Sequence, residues 1–232
     1  MPEAEFDRFA SSYRAQHAAS IRLSGESPEY FAKYKIDDVA AAMALVAARP
    51  TRILDFGGGI GNSVPYMRAA FADAELVVLD PSSESLDMAR QRFPGSAVFR
   101  EFDGETIPYD DNHFDLIFTA CVFHHIDAAM HDALLKEIFR VLRPNGSFFV
   151  FEHNPRNPLT RRAVRSCPFD KNAVLIEAGT MCGRVVGAGF PRPEIVYRIF
   201  FPRFLCRLRL FERFLSNVPL GGQYYVHAVK YS

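Results

Sequence analysis

From residue 51 onward the chain alternates short apolar runs with longer stretches of helical spacing, and this alternation constrains the fold more than any other feature. The runs TRILDF, ELVVLD, AVFREF, FDLIFTA and GSFFVFE are short and rich in β-branched and aromatic residues, so they read as strands. Between them, NSVPYMRAAF, SSESLDMARQRF and AAMHDALLKEIFRVL carry apolar residues at helical spacing, with Asn62 and Ser82 as N-caps. Repeated strand–helix–strand units predict an α/β fold around a parallel sheet. Arg143 to Gly146, RPNG, reads as a turn feeding the fifth strand. Beyond it, AVLIEAGTMCGRVVGAGF reads as a helix ended by glycine, and PEIVYRIF and GGQYYVHAVKY as two strands that form a hairpin at one sheet edge.

Residues 1–49 precede the sheet and read as helices over 3–21, 28–34 and 36–48, a leading segment set apart from the domain at 50–232. In open α/β sheets ligands sit beyond the carboxyl ends of the strands, so this segment either covers that crevice or caps a sheet edge. At 232 residues with 49% hydrophobic content the chain can bury a substantial core. Lys plus Arg and Asp plus Glu both number 27, which offers no long-range attraction for nucleic acid or an anionic membrane. The four cysteines show neither CxxC pairs nor zinc-ligand spacing, so they read as free thiols in a reducing cytoplasm, and no metal is expected. No run approaches the ~20 apolar residues of a membrane span.

The stretch ILDFGGGIGNS, Ile53 to Ser63, sets the chemistry. Gly57, Gly59 and Gly61 follow a strand and open a helix, permitting a tight turn and close backbone approach to a ligand. The pattern is not G-x-G-x-x-G, because Asn62 falls at its last position, and no Lys-Ser/Thr pair follows as in a P-loop. Asp55, two residues ahead of the first glycine, would repel a diphosphate but suits a ligand carrying an ammonium and a sulfonium. Both features disfavour a nicotinamide dehydrogenase. Asp80 ends the second strand, where a carboxylate can accept from both hydroxyls of a ribose. Asp103, past the third strand, can accept from an adenine amino group while the Gly104 amide donates to a ring nitrogen.

With these residues in place, ILDFGGGIG, VVLD, DGETIPYDDNHFDLIFTACVFHHI and EIFRVLRPNGSFFVFEH resemble the successive motifs of class I S-adenosylmethionine-dependent methyltransferases, over about residues 51 to 153. The likeness is strongest to the small-molecule branch that includes ubiquinone and menaquinone biosynthetic methyltransferases. The resemblance implies a Rossmann-like seven-stranded sheet of order 3-2-1-4-5-7-6, strand seven antiparallel, with helices on both faces. It implies S-adenosyl-L-methionine as cofactor, bound by Asp55, Gly57, Gly59, Asp80, Pro81, Asp103 and Gly104, with Thr119 and Ala120 lining its methionine part. Tyr30, in the leading segment with Phe31, Tyr34 and Lys35, is expected to close over cofactor or acceptor.

His153 follows strand five on the crevice side and is the first candidate for a general base, an imidazole being suited to deprotonate an activated hydroxyl. The competing reading is a histidine hydrogen-bonded to the turn after it. His124, in CVFHHI past strand four, is the runner-up, and the resemblance gives it and His125 a loop-ordering role. Metal binding by Glu152 and His153 is discounted because adjacent strand residues face opposite sides. Arg156, Arg161, Arg162 and Arg165 either bind an anionic acceptor or form a solvated basic face. In PRFLCRLRLFERFL, Phe204, Leu208, Phe211 and Leu215 recur at helical spacing and predict an amphipathic helix that packs on the body of the domain or covers its crevice, with membrane docking as the alternative. The expected reaction is methylation of a small molecule, at oxygen of a saccharide or secondary metabolite. Nitrogen or carbon acceptors, or a catalytically silent cofactor-binding partner subunit, are the alternatives.

Overall fold

The computed structural model describes residues 25–167, 170 and 172–231; the helix expected over 3–21 lies outside the described residues. The sheet has seven strands: β1 (Arg52–Phe56), β2 (Glu75–Asp80), β3 (Val98–Glu101), β4 (Phe114–Ala120), β5 (Leu142–His153), β6 (Glu194–Arg198) and β7 (Gln223–Val229). Their order is β3-β2-β1-β4-β5-β7-β6, as the resemblance implied. All neighbouring pairs are parallel except those of β7, which runs antiparallel to both β5 and β6. β1, β2 and β4 are buried along nearly their whole length, which explains why they read as continuous apolar runs instead of alternating ones.

Among the described residues the α-helices are α1 (Pro28–Leu45), α2 (Val64–Ala70), α3 (Ser83–Arg92), α4 (His131–Val141), α5 (Pro158–Ser166), α6 (Ala178–Gly187) and a single turn, α7 (Glu212–Leu215). Ser82 caps α3 by accepting from the Ser85 amide. Asn62 does not cap α2: its side-chain oxygen accepts from Arg92, and α2 starts after Ser63, whose hydroxyl is committed elsewhere. α4 buries Leu134, Leu135, Ile138 and Val141, one stripe at helical spacing. The RPNG turn lies within the long β5, as an irregularity where its register with β4 shifts and Asn145 adopts φ of 63°.

Two expectations need correction. The segments 28–34 and 36–48 are one helix, α1, because no Gly or Pro interrupts it after Pro28. Its inner face (Phe31, Tyr34, Ile36, Val39, Met43) joins a core with Ile53, Met67, Phe149 and Phe151, so this segment is packed onto the sheet. The stretch 203–215 forms 3-10 turns over Arg203–Phe211, kinked at Leu205, and then α7. Its apolar stripe does not pack: Phe204 is 81% exposed and Phe211 56%. Polar anchors hold the stretch instead. The Arg209 guanidinium bonds Glu26 at 2.8 Å and lies 4.7 Å from the Tyr30 ring centroid, and the buried Glu212 accepts from the Phe200 and Phe201 amides.

Candidate active site

A cavity of about 620 Å³ opens beyond the carboxyl ends of the parallel strands. Asp55 and Phe56 of β1, Asp80 of β2, Glu101 of β3, Ala120 of β4 and His153 of β5 reach it, as does Gln223 at the start of the reversed strand β7. Helix α1 supplies a wall through Pro28, Phe31, Ala32 and Lys35.

One end is shaped by the glycine turn. Gly57 and Gly59 adopt φ of 71° and 50°, where L-side chains are strained. A Cβ on Gly57 would lie 2.6 Å from Val122, whereas one on Gly59 would meet only Asp80, 3.9 Å away. Asp55 is buried beneath the turn and accepts from the Ser63 hydroxyl, the commitment that removes Ser63 from capping α2. Burial, reinforced by Asp80 and offset by Ser63 and Lys35, pushes the Asp55 carboxyl up to about 7. Asp80 accepts from the Gly59 amide at 2.8 Å and the Ser82 amide at 2.9 Å, locking turn and acid together. Asp103, exposed, accepts from the Glu105 and Thr106 amides, each 2.8 Å away, and these bonds hold its pKa below the ordinary value. Pro81 and Gly104 complete this end. A carboxylate buried under the turn and two more at the neighbouring strand ends fit a cationic amino acid and a nucleoside, and do not fit a diphosphate.

Two expected cofactor residues stand elsewhere. Thr119 is fully buried and is not among the cavity-lining residues, because strand alternation gives the cavity side to Phe118 and Ala120. Its hydroxyl is the one buried side-chain polar atom without a hydrogen-bond partner among the described residues. Tyr30 also lies off the cavity, its ring under Arg209, and Phe31 and Lys35 from the same helix line the wall in its place.

The other end gathers groups from distant segments. Cys121 leaves β4 with φ of 60° and receives Lys35 Nζ at 3.4 Å and Gln223 Nε2 at 3.8 Å. Burial raises its thiol, but Lys35 and His153 outweigh that and bring it down to about 6. His153 Nδ1 is 3.2 Å from Gln223 Nε2, and Gln223 Oε1 accepts from the buried Tyr34 hydroxyl. The sequence pointed to none of Lys35, Cys121 and Gln223 as members of one cluster with His153.

His124 and His125 form a 3-10 turn after β4. His124 is 2% exposed and its Nδ1 lies 2.5 Å from Glu152 Oε2, while Glu152 Oε1 accepts from the Phe123 amide at 2.8 Å. Burial lowers the His124 pKa, but Glu152 and Asp170 overcome it and push it up to about 10. Held between Glu152 and Asp170, His124 has its imidazolium form favoured, which suits the base role less well than the position of His153 does. The arginines stand apart from the cavity: Arg161, Arg162 and Arg165 line a separate surface groove, and Arg156 pairs with Glu177 at 2.9 Å.

Residues 54–150 match a family described as methyltransferase domain. A ubiquinone/menaquinone biosynthesis C-methyltransferase UbiE of Azotobacter vinelandii is 32% identical over 128 residues, 52% of this chain and 50% of that protein. A fatty-acid O-methyltransferase of Mycolicibacterium smegmatis is 28% identical over 139 residues, 59% of this chain and 50% of its own length. This chain therefore spans about half the length of the curated relatives it matches. Among solved structures, an S-adenosylmethionine-dependent methyltransferase of Thermotoga maritima superimposes with a TM-score of 0.66 over 97% of both chains at 19% identity, a likeness of fold.

Residues 54–150 are thus similar to a methyltransferase domain, on a fold shared with solved S-adenosylmethionine-dependent methyltransferases. Over about half of its length the chain is similar to UbiE proteins.

Proposed function

We propose that the protein methylates a hydroxyl oxygen of a small molecule, with His153 as the general base. S-adenosylmethionine, when bound, supplies a methyl group activated by a sulfonium. Asp55, Asp80, Asp103 and the Gly57–Gly59 turn hold it at one end of the cavity, and the acceptor enters the other. The observation that supports this reading is continuity: the three acids and the Lys35–Cys121–His153–Gln223 cluster line one cavity walled by α1. Orientation and exclusion of water are the main contributions of such a site, because direct transfer needs no covalent intermediate on the protein.

A base at His153 Nε2 requires the neutral tautomer with its proton on Nδ1. With Gln223 Nε2 donating to Nδ1, the proton sits on Nε2 instead. Rotating the Gln223 amide by half a turn presents Oε1 to Nδ1–H and Nε2 to the Tyr34 hydroxyl, which can accept as well as donate, so these two contacts persist while the long Nε2 contact to Cys121 Sγ is given up. Gln223 is thus the positioning residue that sets the tautomer of His153. Incubating the protein with methyl-labelled S-adenosylmethionine and a panel of hydroxy, amino and activated-carbon acceptors tests the reading. Label transferred to oxygen in the wild type and lost in His153→Ala is the expected result. Transfer to nitrogen or carbon alone, or no transfer to any acceptor from a protein that binds S-adenosylhomocysteine, overturns it.

A further inference from the structure

We propose that His124, His125 and Asp170 bind one divalent transition-metal ion of the zinc class at the acceptor end of the cavity. All three line the cavity, and their ligand atoms lie within 4.8 Å of one another. Asp170 Oδ1 is 3.4 Å from His125 Nε2 and 3.9 Å from His124 Nε2. The longer separation exceeds any hydrogen bond. Tetrahedral zinc with ligand bonds near 2.0–2.1 Å places its ligands roughly 3.3 to 3.4 Å apart, so modest side-chain rotation brings the three atoms onto one ion.

The surroundings are those of a prepared site. Glu152 takes His124 Nδ1 at 2.5 Å and is itself fixed by the Phe123 amide, which aims Nε2 at Asp170. A carboxylate behind a ligating imidazole orients the ring and raises its basicity. The backbone ties the two halves together: the Val174 amide donates to the His124 carbonyl at 2.8 Å, the Asp170 amide to Cys167 at 3.1 Å, and the Ala173 amide to Asp170 at 3.0 Å. The histidines and Asp170 are thereby held as one unit. The ion would displace the proton on His124 Nε2, with Glu152 keeping the one on Nδ1.

Two imidazoles and one carboxylate suit zinc, iron or cobalt better than magnesium or calcium, which prefer all-oxygen ligation. Three protein ligands leave a coordination position toward the cavity. An oxygen-bearing acceptor entering there meets a Lewis acid that lowers the pKa of its hydroxyl, within the same cavity as His153. This role rests on the methyltransferase reading above; the binding of the ion does not.

The test uses the full chain stripped with a chelator and titrated with zinc chloride by calorimetry, and with cobalt chloride by visible absorption. One equivalent of zinc bound at submicromolar Kd, with cobalt bands typical of nitrogen–oxygen ligation, is expected. Asp170→Asn and His125→Gln should each weaken zinc by at least about 100-fold, and Glu152→Gln by about 10- to 100-fold. Thermal melting monitors folding of each variant, and the wild-type cobalt spectrum decides the ligand type should any of them fail to fold. Absence of binding to the wild type, cobalt bands of thiolate ligation, or zinc affinity unchanged in folded Asp170→Asn and His125→Gln overturns the proposal. S-adenosylhomocysteine binding measured on the same stripped protein separates the two readings. Nucleoside binding without zinc binding sinks the metal alone, and the reverse sinks the methyltransferase reading alone.

Discussion

At the cofactor end of the cavity, each acid sits at or just past a strand end and is held by residues a few positions away: Ser82 for Asp80, Glu105 and Thr106 for Asp103, Ser63 for Asp55. At the acceptor end, Lys35, Cys121, His153 and Gln223 arrive from α1, the exit of β4, the end of β5 and the start of β7. The first arrangement is written into short segments and survives wherever those segments fold. The second exists only because the sheet order brings β4, β5 and β7 side by side and α1 across them. Binding should therefore be governed by local geometry and turnover by tertiary packing, and the two should respond to different substitutions.

The largest effect is expected at the acceptor end. His153→Ala should lower kcat by about 10² to 10⁴ with S-adenosylhomocysteine affinity nearly intact, as removal of a general base does. Rate constants within about threefold of wild type would show that orientation alone suffices there. Gln223→Glu, which offers Nδ1 an obligate acceptor, should retain turnover and shift the kcat–pH profile to higher pH, because the carboxylate stabilises the imidazolium. Gln223→Leu should lower kcat; a Gln223→Glu profile superimposing on the wild type would break the tautomer argument.

Next in size is Asp80→Ala at the cofactor end. Loss of a charged acceptor for two ribose hydroxyls should cost about 2 to 4 kcal/mol of nucleoside binding. Calorimetry showing unchanged affinity would remove Asp80 from the ribose. Because Asp80 also fixes the Gly59 amide, Asp80→Asn serves as control: it keeps an acceptor oxygen for the turn while losing the charge.

The glycines separate strain from space. Gly57→Ala forces a Cβ against Val122 at a positive φ and should destabilise the fold by about 2 to 3 kcal/mol. Gly59→Ala keeps the strain but meets open space, so about 1 kcal/mol is expected. Equal melting shifts for the two would mean that the Val122 contact relaxes.

The same contrast explains what could be read from the chain beforehand. The sheet order was legible from contiguous motifs, and the places of the glycine turn, Asp55, Asp80 and Asp103 on one cavity follow from spacing within a few residues. That Thr119 does not line the cavity could not be read, because a run of residues at a strand end carries no mark of which one faces it, and alternation gives the cavity to Phe118 and Ala120. That Tyr30 lies off the cavity could not be read either, because the turn of α1 is set by packing in a core with Ile53 and Phe149, far away in sequence. Cys121 reads as a small hydrophobe, and only its left-handed backbone and the Lys35 ammonium make it otherwise. Gln223 opens an edge-hairpin strand, where nothing local distinguishes it from a surface residue. Asp170 follows an arginine-rich stretch that drew attention to charge of the other sign. For 203–215, the apolar periodicity was present, but Arg209 and Glu212 found partly buried partners in Glu26 and the Phe200 and Phe201 amides, and the stripe faces outward.

A pH dependence shows whether the local end of the cavity is coupled to solution conditions through Asp55. Its carboxyl is pushed up to about 7, first by burial, so near neutrality it is partly protonated. The ionised form is the one that pairs with the ammonium of the cofactor, so affinity should fall as pH falls through about 7. If the neutral acid contributes nothing, the ionised fraction drops about tenfold between pH 8 and pH 6, a change of about 1.4 kcal/mol. Stability of the ligand-free protein should move the other way. A carboxyl raised above its ordinary value disfavours ionisation in the folded state, so this residue costs stability as pH rises from about 4 to 7. Asp55→Asn should flatten both trends, lowering nucleoside affinity at pH 8 while leaving it little changed at pH 6. Because the Cys121 thiol, lowered to about 6, titrates in the same window, Cys121→Ser is the necessary partner experiment. A slope in nucleoside affinity that survives Asp55→Asn and disappears in Cys121→Ser would assign the pH dependence to the acceptor cluster, and would show that the two ends of the cavity are not independent.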